Sequence, residues 1–190
     1  MKRTTFAKWP CGIARTTDLM GDWWTPLIIR EAMYGSTKFD EFERTLGLSR
    51  NILTQRLNRL VDAGIFVKAA YQQHPVRHEY LLTEMGRDLT NVLLAEFAWG
   101  NRWLSPDGAP VTLVDRESGA AIEPVVVDRI TGEPIDPRRI RAAVGPGFPK
   151  KLRNHPLVVD RFGPPVDDDS RAMTDTSDTT SPRHSMGDPP

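Results

Sequence analysis

A signal that ends one helix and a signal that starts the next are separated by a single residue. This pair constrains the fold of the chain more than any other feature. Gly47 can end one helix in the left-handed conformation, and Ser49 can cap the next helix. Upstream, Asp40 and Glu43 have the spacing of a capping box, which predicts a first helix of about two turns. The second helix is predicted to run to Ala63, with one apolar face formed by Leu53, Leu57, Leu60 and Val61. Two helices joined by such a short turn are typical of a helix-turn-helix.

The outward face of the second helix carries amide, hydroxyl and cationic side chains. In a helix-turn-helix, the N-terminal half of the second helix enters the major groove of DNA. We therefore predict that this recognition helix, residues 49–63, contacts DNA through Ser49, Arg50, Asn51, Thr54, Gln55 and Arg59. Asn and Gln can pair with adenine and Arg with guanine, so Arg50, Asn51 and Gln55 are candidates for base edges. Ser49 and Thr54 suit phosphates or thymine methyl groups. For any single residue, the alternative is a solvated helix face.

A β-hairpin is predicted after the recognition helix. Two short apolar runs indicate its strands, and the segment 72–78 between them contains Pro75. His74 and Arg77 lie on either side of this proline. We expect both to reach the DNA backbone or the minor groove, as the wing of a winged helix-turn-helix.

Three further signals complete the predicted fold. Thr25 followed by Pro26 is typical of a helix start, and residues 38–39 are predicted to form a short strand. Thr83 caps a last long helix, whose apolar and aromatic positions are Leu89, Val92, Leu93, Phe97, Trp99, Gly100, Trp103 and Leu104. A small domain cannot cover this much apolar surface on one helix, so we expect a homodimer. The predicted fold class is mainly α with a small β-hairpin wing, an α+β winged helix-turn-helix.

The order and spacing of five segments resemble a known family. The segments are Cys11–Gly21, Trp24–Glu31, Lys38–Phe42, Leu48–Leu57 and Glu79–Gly86. Together they are similar to the HxlR family of bacterial winged helix-turn-helix transcription regulators, over residues 9–104. The resemblance implies a homodimer whose interface is formed by the first and last helices of this region. It also implies a sequence-specific regulator that binds an operator in double-stranded DNA.

Cys11 has two predicted roles. The resemblance implies a cysteine near this position, and some family members use it to sense oxidants or electrophiles. A sensor thiol must be exposed and acidic, and Arg15 lies one helical turn further on. The alternative is a small buried apolar residue near the dimer interface. Because the chain has one cysteine, an internal disulfide and an all-cysteine zinc site are excluded.

The formal net charge of zero conceals two oppositely charged halves. Residues 1–104 hold 14 Lys+Arg and 11 Asp+Glu, or +3, and residues 105–190 hold 11 and 14, or −3. Within residues 49–78, five cations face one anion, or +4. Neutrality of the whole chain is therefore no argument against DNA binding, because contact with phosphate depends on local charge.

The composition predicts three regions. Residues 1–104 form the DNA-binding and dimerisation domain, 105–163 a Pro/Gly-rich extension, and 164–190 a disordered acidic tail. The extension repeats one motif after 13 residues and is similar to the zinc-ribbon-like hairpins of some relatives. The zinc-ligand places are occupied by Asp115, Ser118, Asp128 and Thr131. These side chains do not form a structural zinc site, so we expect a metal-free hairpin and no cofactor.

Several function classes are excluded or disfavoured. No apolar run approaches the ~18 residues of a membrane span, and no secretory signal is visible, so we expect a cytoplasmic protein. The sequence lacks a Gly-rich phosphate loop and a nucleophile elbow, which argues against an enzyme. Nothing marks a pocket for a small-molecule effector. A second hypothesis is a winged-helix protein-interaction module that recruits a partner through its C-terminal half.

Overall fold

The computed structural model describes residues 5–164, and the winged-helix elements come first in chain order. Four helices, α1 to α4, are followed by a two-stranded hairpin and a long helix. Their bounds are α1 Gly12–Met20, α2 Trp24–Met33, α3 Phe39–Leu46, α4 Arg50–Asp62, β1 Phe66–Gln73, β2 Val76–Leu82 and α5 Glu84–Trp103. The predicted α+β winged helix-turn-helix is confirmed.

The remaining elements are short. A second hairpin pairs β3, Leu113–Val114, with β4, Ala121–Ile122, and the last helix is α6, Pro156–Phe162. One compact unit ends at Val126 and a second begins at Val127. Residues 105–126 therefore belong to the same unit as the winged helix, whereas the composition placed the boundary after residue 104. The predicted disordered tail lies outside the described residues from position 165 onward.

The core of the first unit lies where α2, α3, α4, β1 and β2 meet. Its fully buried apolar side chains are Ile28, Ile29, Phe42, Leu53, Leu57, Leu60, Ile65 and Phe66. The predicted apolar face of the recognition helix is confirmed, since Leu53, Leu57 and Leu60 are all buried. Phe66 contacts Phe42 and Tyr80 edge-to-face, with ring centroids 6.3 and 6.4 Å apart. Burial raises the pKa of the Tyr80 phenol.

The predicted caps of α4 and α5 are confirmed. Ser49 Oγ accepts a hydrogen bond from the Ile52 amide at 3.5 Å, and Thr83 Oγ1 accepts one from the Gly86 amide at 3.1 Å. Gly47 ends α3 in the left-handed conformation, with φ of 65°. The turn between α3 and α4 therefore follows from local sequence signals.

The predicted cap of α3 is wrong. The helix begins at Phe39, and Glu41 rather than Glu43 reaches back, its Oε2 accepting from the amides of Thr37 at 2.9 Å and Lys38 at 3.0 Å. The Lys38 amide is the main cause of a lowered pKa at Glu41. The predicted strand at residues 38–39 reduces to one bridge between Lys38 and Glu79, because Phe39 already belongs to α3.

The predicted start of α2 is also wrong. The helix begins at Trp24, and Thr25 is a buried residue of its first turn. Asp22 provides the capping group instead: its Oδ1 accepts from the amides of Trp24 at 3.1 Å and Thr25 at 3.0 Å. Pro26 is tolerated because the amides of a first helical turn have no intrahelical partner.

The hairpin is longer, and its turn shorter, than the sequence suggested. β1 and β2 pair in antiparallel fashion from Phe66 with Leu82 to Gln73 with Val76, so most of the predicted loop 72–78 is strand. Only His74 and Pro75 lie between the strands. The hairpin is fixed to the helices by a hydrogen bond of 2.7 Å from the Tyr80 amide to the Thr37 carbonyl.

The repeated motif of the extension forms the same turn twice. Asp115 Oδ1 accepts from the Ser118 amide and hydroxyl, both at 2.8 Å, and these bonds lower the pKa of Asp115. Asp128 Oδ1 accepts from the Ile130 amide at 2.8 Å. In each turn the closing glycine, Gly119 or Gly132, donates its amide to the carbonyl of the aspartate. Both aspartate side chains therefore accept hydrogen bonds from backbone amides of their own turns.

Among the described residues, no helix combines the length and apolar composition that a membrane crossing requires. Within residues 5–164, no three His, Cys, Asp or Glu side chains are grouped as metal ligands.

Candidate nucleic-acid interface

The first turns of α4 present an exposed polar face. Ser49, Arg50, Asn51, Thr54 and Gln55 are all exposed. Gln55 Nε2 donates to Asn51 Oδ1 at 3.3 Å, so the two amides adjoin as one donor and acceptor array. The structure therefore brings five of the six residues predicted on this helix onto one surface.

The two hydroxyl groups on this surface differ in what they can donate. Ser49 Oγ accepts from the Ile52 amide, which leaves its own hydrogen available to donate to a phosphate. Thr54 Oγ1 donates to the Arg50 carbonyl at 2.7 Å, so its hydrogen is used within the helix. A contact between the Thr54 methyl group and a thymine methyl needs no change in this bond.

Arg50 is held against α3 by two carboxylates and an aromatic ring. Its guanidinium lies 2.8 Å from Glu43 Oε2 and 3.7 Å from Asp40 Oδ1, and it stacks over the Phe39 ring at 4.9 Å from the centroid. The Arg50 side chain is 69% exposed, and exposed ion pairs contribute about 0–1 kcal/mol. Exchange of these carboxylates for a guanine or a phosphate therefore costs little.

A cationic cleft of about 290 Å³ separates the start of α4 from the hairpin. Its cationic lining residues are Lys38, Arg50, Lys68 and Arg77, with His78 beside them. Two aromatic rings support the lysines: Lys38 Nζ lies 5.2 Å from the Tyr71 centroid, and Lys68 Nζ lies 5.9 Å from the Tyr80 centroid. One acid, Asp40, also lines the cleft.

Sequence reasoning did not select Lys38 and Lys68. Lys68 contributed to the local charge of +4, but its position beside the cleft follows from its cross-strand pairing with Tyr80, which the structure shows. Lys38 joins the cleft through tertiary contacts, which are its bridge to Glu79 and the contact of its ammonium group with the Tyr71 ring. A positive groove beside an amide-bearing helix is the arrangement that DNA phosphates and base edges require.

The structure separates the two predicted wing residues. Arg77 lies on β2 and lines the cleft, whereas His74 lies at the exposed tip of the hairpin. Gln72 Nε2 donates to the His74 carbonyl at 3.1 Å, which holds the backbone of the tip. The two residues therefore lie on different parts of the hairpin.

Arg59 lies on a different side of α4 from the exposed face. Its guanidinium contacts Asp22 Oδ2 at 3.5 Å and donates to the Asp18 carbonyl. Arg56 is held by the same carboxylate, with Nε 3.4 Å from Asp22 Oδ1. With Arg50, three of the five cations counted in 49–78 thus form ion pairs within the protein, and the pairs of Arg56 and Arg59 are the less exposed ones.

Cys11 lies directly before α1 and is exposed. Its carbonyl accepts a hydrogen bond from the Arg15 amide at 3.1 Å, which confirms that residue 15 is one helical turn further on. The accessibility that a sensor thiol requires is therefore present in the single chain.

Together, the helix-turn-helix, the exposed face of α4 and the cationic hairpin define a winged-helix DNA-binding protein. Residues 19–108 match the HxlR-like helix-turn-helix family. An uncharacterized HTH-type transcriptional regulator of Mycobacterium tuberculosis is 39% identical over 141 residues, which cover 74% of this chain and 89% of the relative. The chain belongs to the HxlR family of transcription regulators.

Solved structures agree with this assignment. PA1607, described as a candidate transcription factor, is 37% identical with a TM-score of 0.67, over 74% of this chain and 99% of that one. A second candidate transcription factor, PA1374 from Pseudomonas aeruginosa, is 38% identical with a TM-score of 0.57, over 75% of this chain and 98% of that one. These similarities extend beyond the matched helix-turn-helix segment.

Proposed function

We propose that this protein is a sequence-specific, cytoplasmic transcription regulator that binds an operator in double-stranded DNA. The observation that carries the proposal is the exposed array of Arg50, Asn51 and Gln55 beside the cationic cleft. Membership of a helix-turn-helix regulator family supports it independently.

The chemistry of each side chain suggests its role on DNA. Asn51 and Gln55 suit adenine, and Arg50 suits guanine after release from Glu43. The cations that line the cleft suit phosphates, to which Arg and Lys donate charge-assisted hydrogen bonds. His74 at the tip suits the backbone or minor groove. Arg59 is not included in the proposed surface, because Asp22 and Asp18 hold its guanidinium.

The proposal predicts a large loss of selective binding in the double variant Arg50→Ala with Gln55→Ala. Each bidentate base contact is worth about 1–3 kcal/mol of discrimination, so we expect affinity for the preferred duplex to fall at least about 30-fold. The preferred duplex is first isolated from a random library with the parent chain. Affinity is then measured by fluorescence anisotropy.

The matched control is Arg116→Ala, which removes an exposed arginine from the β3–β4 turn and should leave affinity unchanged. Unchanged affinity in the double variant would refute the assigned roles of Arg50 and Gln55. Salt dependence tests the class of function: binding to the preferred duplex should weaken steeply as salt rises. A protein-interaction module, the second hypothesis, would show no duplex preference at any salt concentration.

We also propose that the regulator is a homodimer joined through α1 and α5. Several large apolar side chains on these helices are exposed in the single chain, including Ile13, Trp99, Trp103 and Leu104. Between the helices lies a largely apolar groove of about 610 Å³, lined by Ile13, Met20 and Val92 among others. Exposed apolar surface of this extent is typical of a protein interface.

The same proposal leaves two roles for Cys11, which one experiment separates. A sensor role predicts that diamide changes the DNA affinity of the parent chain and that Cys11→Ser abolishes the change. A packing role at the dimer interface predicts that diamide has no effect on either protein. Any disulfide formed would join two chains, since each has one cysteine.

A further inference from the structure

The junction between α1 and α2 holds the recognition helix through one carboxylate. Asp22 Oδ1 lies 3.4 Å from Arg56 Nε, and Asp22 Oδ2 lies 3.5 Å from Arg59 Nη1. Both arginines belong to α4, and all three side chains are half-buried. One acidic side chain therefore binds two successive turns of the helix that presents Asn51 and Gln55.

The position of Asp22 is fixed by α2 rather than by α4. Its carboxylate accepts from the Trp24 and Thr25 amides, and from Thr25 Oγ1 at 2.7 Å. Thr25 is itself buried, with 1% of its surface exposed. The two arginines therefore bind to an acceptor that already has a defined orientation.

A second contact links α4 to the last turns of α1. The Asp18 carbonyl accepts a hydrogen bond from Arg59 Nη2. On the other side, the Asp18 carboxylate accepts from Thr5 Oγ1 at 3.0 Å and from the Phe6 amide at 3.1 Å. The segment before α1, α1 itself and α4 are thus connected through Asp18 and Arg59.

Apolar packing and polar contacts together set the rotation of α4 about its axis. The buried face of Leu53, Leu57 and Leu60 determines which side of the helix meets the core. The hydrogen bonds that Arg59 donates to Asp22 Oδ2 and to the Asp18 carbonyl are directional. Arg56 adds an ion pair to the same carboxylate, and Gln55 directly precedes it. A rotation of the helix about its axis changes the direction of every side chain on the exposed face, including those proposed to contact bases.

We propose that Asp22 is a positioning residue that sets the orientation of the recognition helix through Arg56 and Arg59. The inference rests on the proposed DNA-binding function and deepens it. Loss of the Asp22 charge also leaves the charges of two arginines on the recognition helix without their carboxylate, which strengthens attraction to any duplex. Loss of a positioning role therefore lowers the ratio of affinity for the preferred duplex to affinity for an unrelated one, whereas a change in charge alone raises both affinities and leaves their ratio unchanged.

The test is Asp22→Asn, because asparagine caps a helix about as well as aspartate does but lacks the charge. We expect affinity for the preferred duplex to fall at least about fivefold relative to affinity for a scrambled duplex of equal length. Affinity for the scrambled duplex should stay equal or rise. An unchanged ratio between the two affinities would overturn the proposal, since a change in charge alone shifts both together.

A second variant tests the same contact independently, in case Asp22→Asn does not fold. Arg59→Lys keeps the charge but cannot bind two acceptors with the fixed geometry of a guanidinium. It should lower the same affinity ratio without raising affinity for the scrambled duplex. Arg116→Lys is the matched control and should change neither value. Circular dichroism and the melting temperature of each variant show whether binding is measured on folded protein.

The outcomes separate this proposal from the function on which it rests. If the parent chain prefers no duplex, the proposed operator binding fails. If the parent is selective and both variants keep its affinity ratio, only the positioning role of Asp22 fails.

Discussion

Phe42→Ala is expected to lower the free energy of unfolding by about 3–5 kcal/mol, the usual cost of truncating a buried aromatic side chain. Phe42 is fully buried, and it lies on α3 where that helix meets α4 and the hairpin. Its removal leaves a cavity in a small core, and the loss is a large part of the 5–15 kcal/mol stability typical of a domain.

The loss should also affect the hairpin, because three aromatic rings connect it to the helices. Phe42 contacts Phe66 on β1, and Phe66 contacts Tyr80 on β2, with interplanar angles of 69° and 78°. Edge-to-face pairs contribute about 0.5–1.5 kcal/mol beyond their buried area. Truncation of Phe42 removes the first ring and one of the two contacts.

Urea denaturation followed by circular dichroism measures this prediction. All variants are compared at one protein concentration, because the stability of a dimer depends on concentration. The control is Tyr34→Ala, which removes an aromatic ring that is 58% exposed and should change stability by no more than about 0.5 kcal/mol. Equal losses in the two variants would contradict the central position of Phe42 in the core.

The elements predicted correctly are those whose signals are local. Ser49 and Thr83 cap their helices because a hydroxyl side chain there reaches an amide three residues on. The buried leucines of α4 follow from the helical period. Because these features depend only on neighbouring positions, the sequence alone predicts them.

The incorrect helix starts have a common cause. At α2 and α3, the sequence offers more than one residue that can accept the first amides, and the tertiary structure determines which one does. Asp22 rather than Thr25 serves α2, and Glu41 rather than Glu43 serves α3. Lys38 forms a β-bridge with Glu79 of the hairpin, and α3 begins at the next residue.

The candidate site shows the same difference between features set by local sequence and features set by tertiary contacts. Helical spacing placed Arg50, Asn51, Thr54 and Gln55 together, but it could not distinguish Arg59 from them. The partner of Arg59 is Asp22, which lies 37 positions earlier in the chain. Lys38 joins the cleft through a contact of similar range. Local charge counts predict that a surface is cationic, whereas tertiary contacts determine which cations remain available to DNA.

The second large effect is expected at the proposed dimer interface, for the double variant Trp99→Ser with Trp103→Ser. The two tryptophans are one helical turn apart on α5 and are 58% and 64% exposed in the single chain. Loss of a buried interface tryptophan costs about 2 kcal/mol or more. We therefore expect the dissociation constant of the dimer to rise at least about 100-fold, as measured by sedimentation equilibrium. Trp23→Ser is the matched control, because Trp23 is 88% exposed and lies between α1 and α2 rather than on α5.

DNA binding by this variant distinguishes the interface from the recognition surface. A helix-turn-helix dimer binds two half-sites about one helical turn of DNA apart, and its affinity depends on simultaneous contact with both. Affinity for a duplex with two half-sites should therefore fall toward that for one half-site, while affinity for the single half-site stays unchanged. Arg50→Ala with Gln55→Ala should instead weaken binding to both duplexes. A tryptophan variant that remains dimeric at the concentrations of the parent would show that α5 is not the interface.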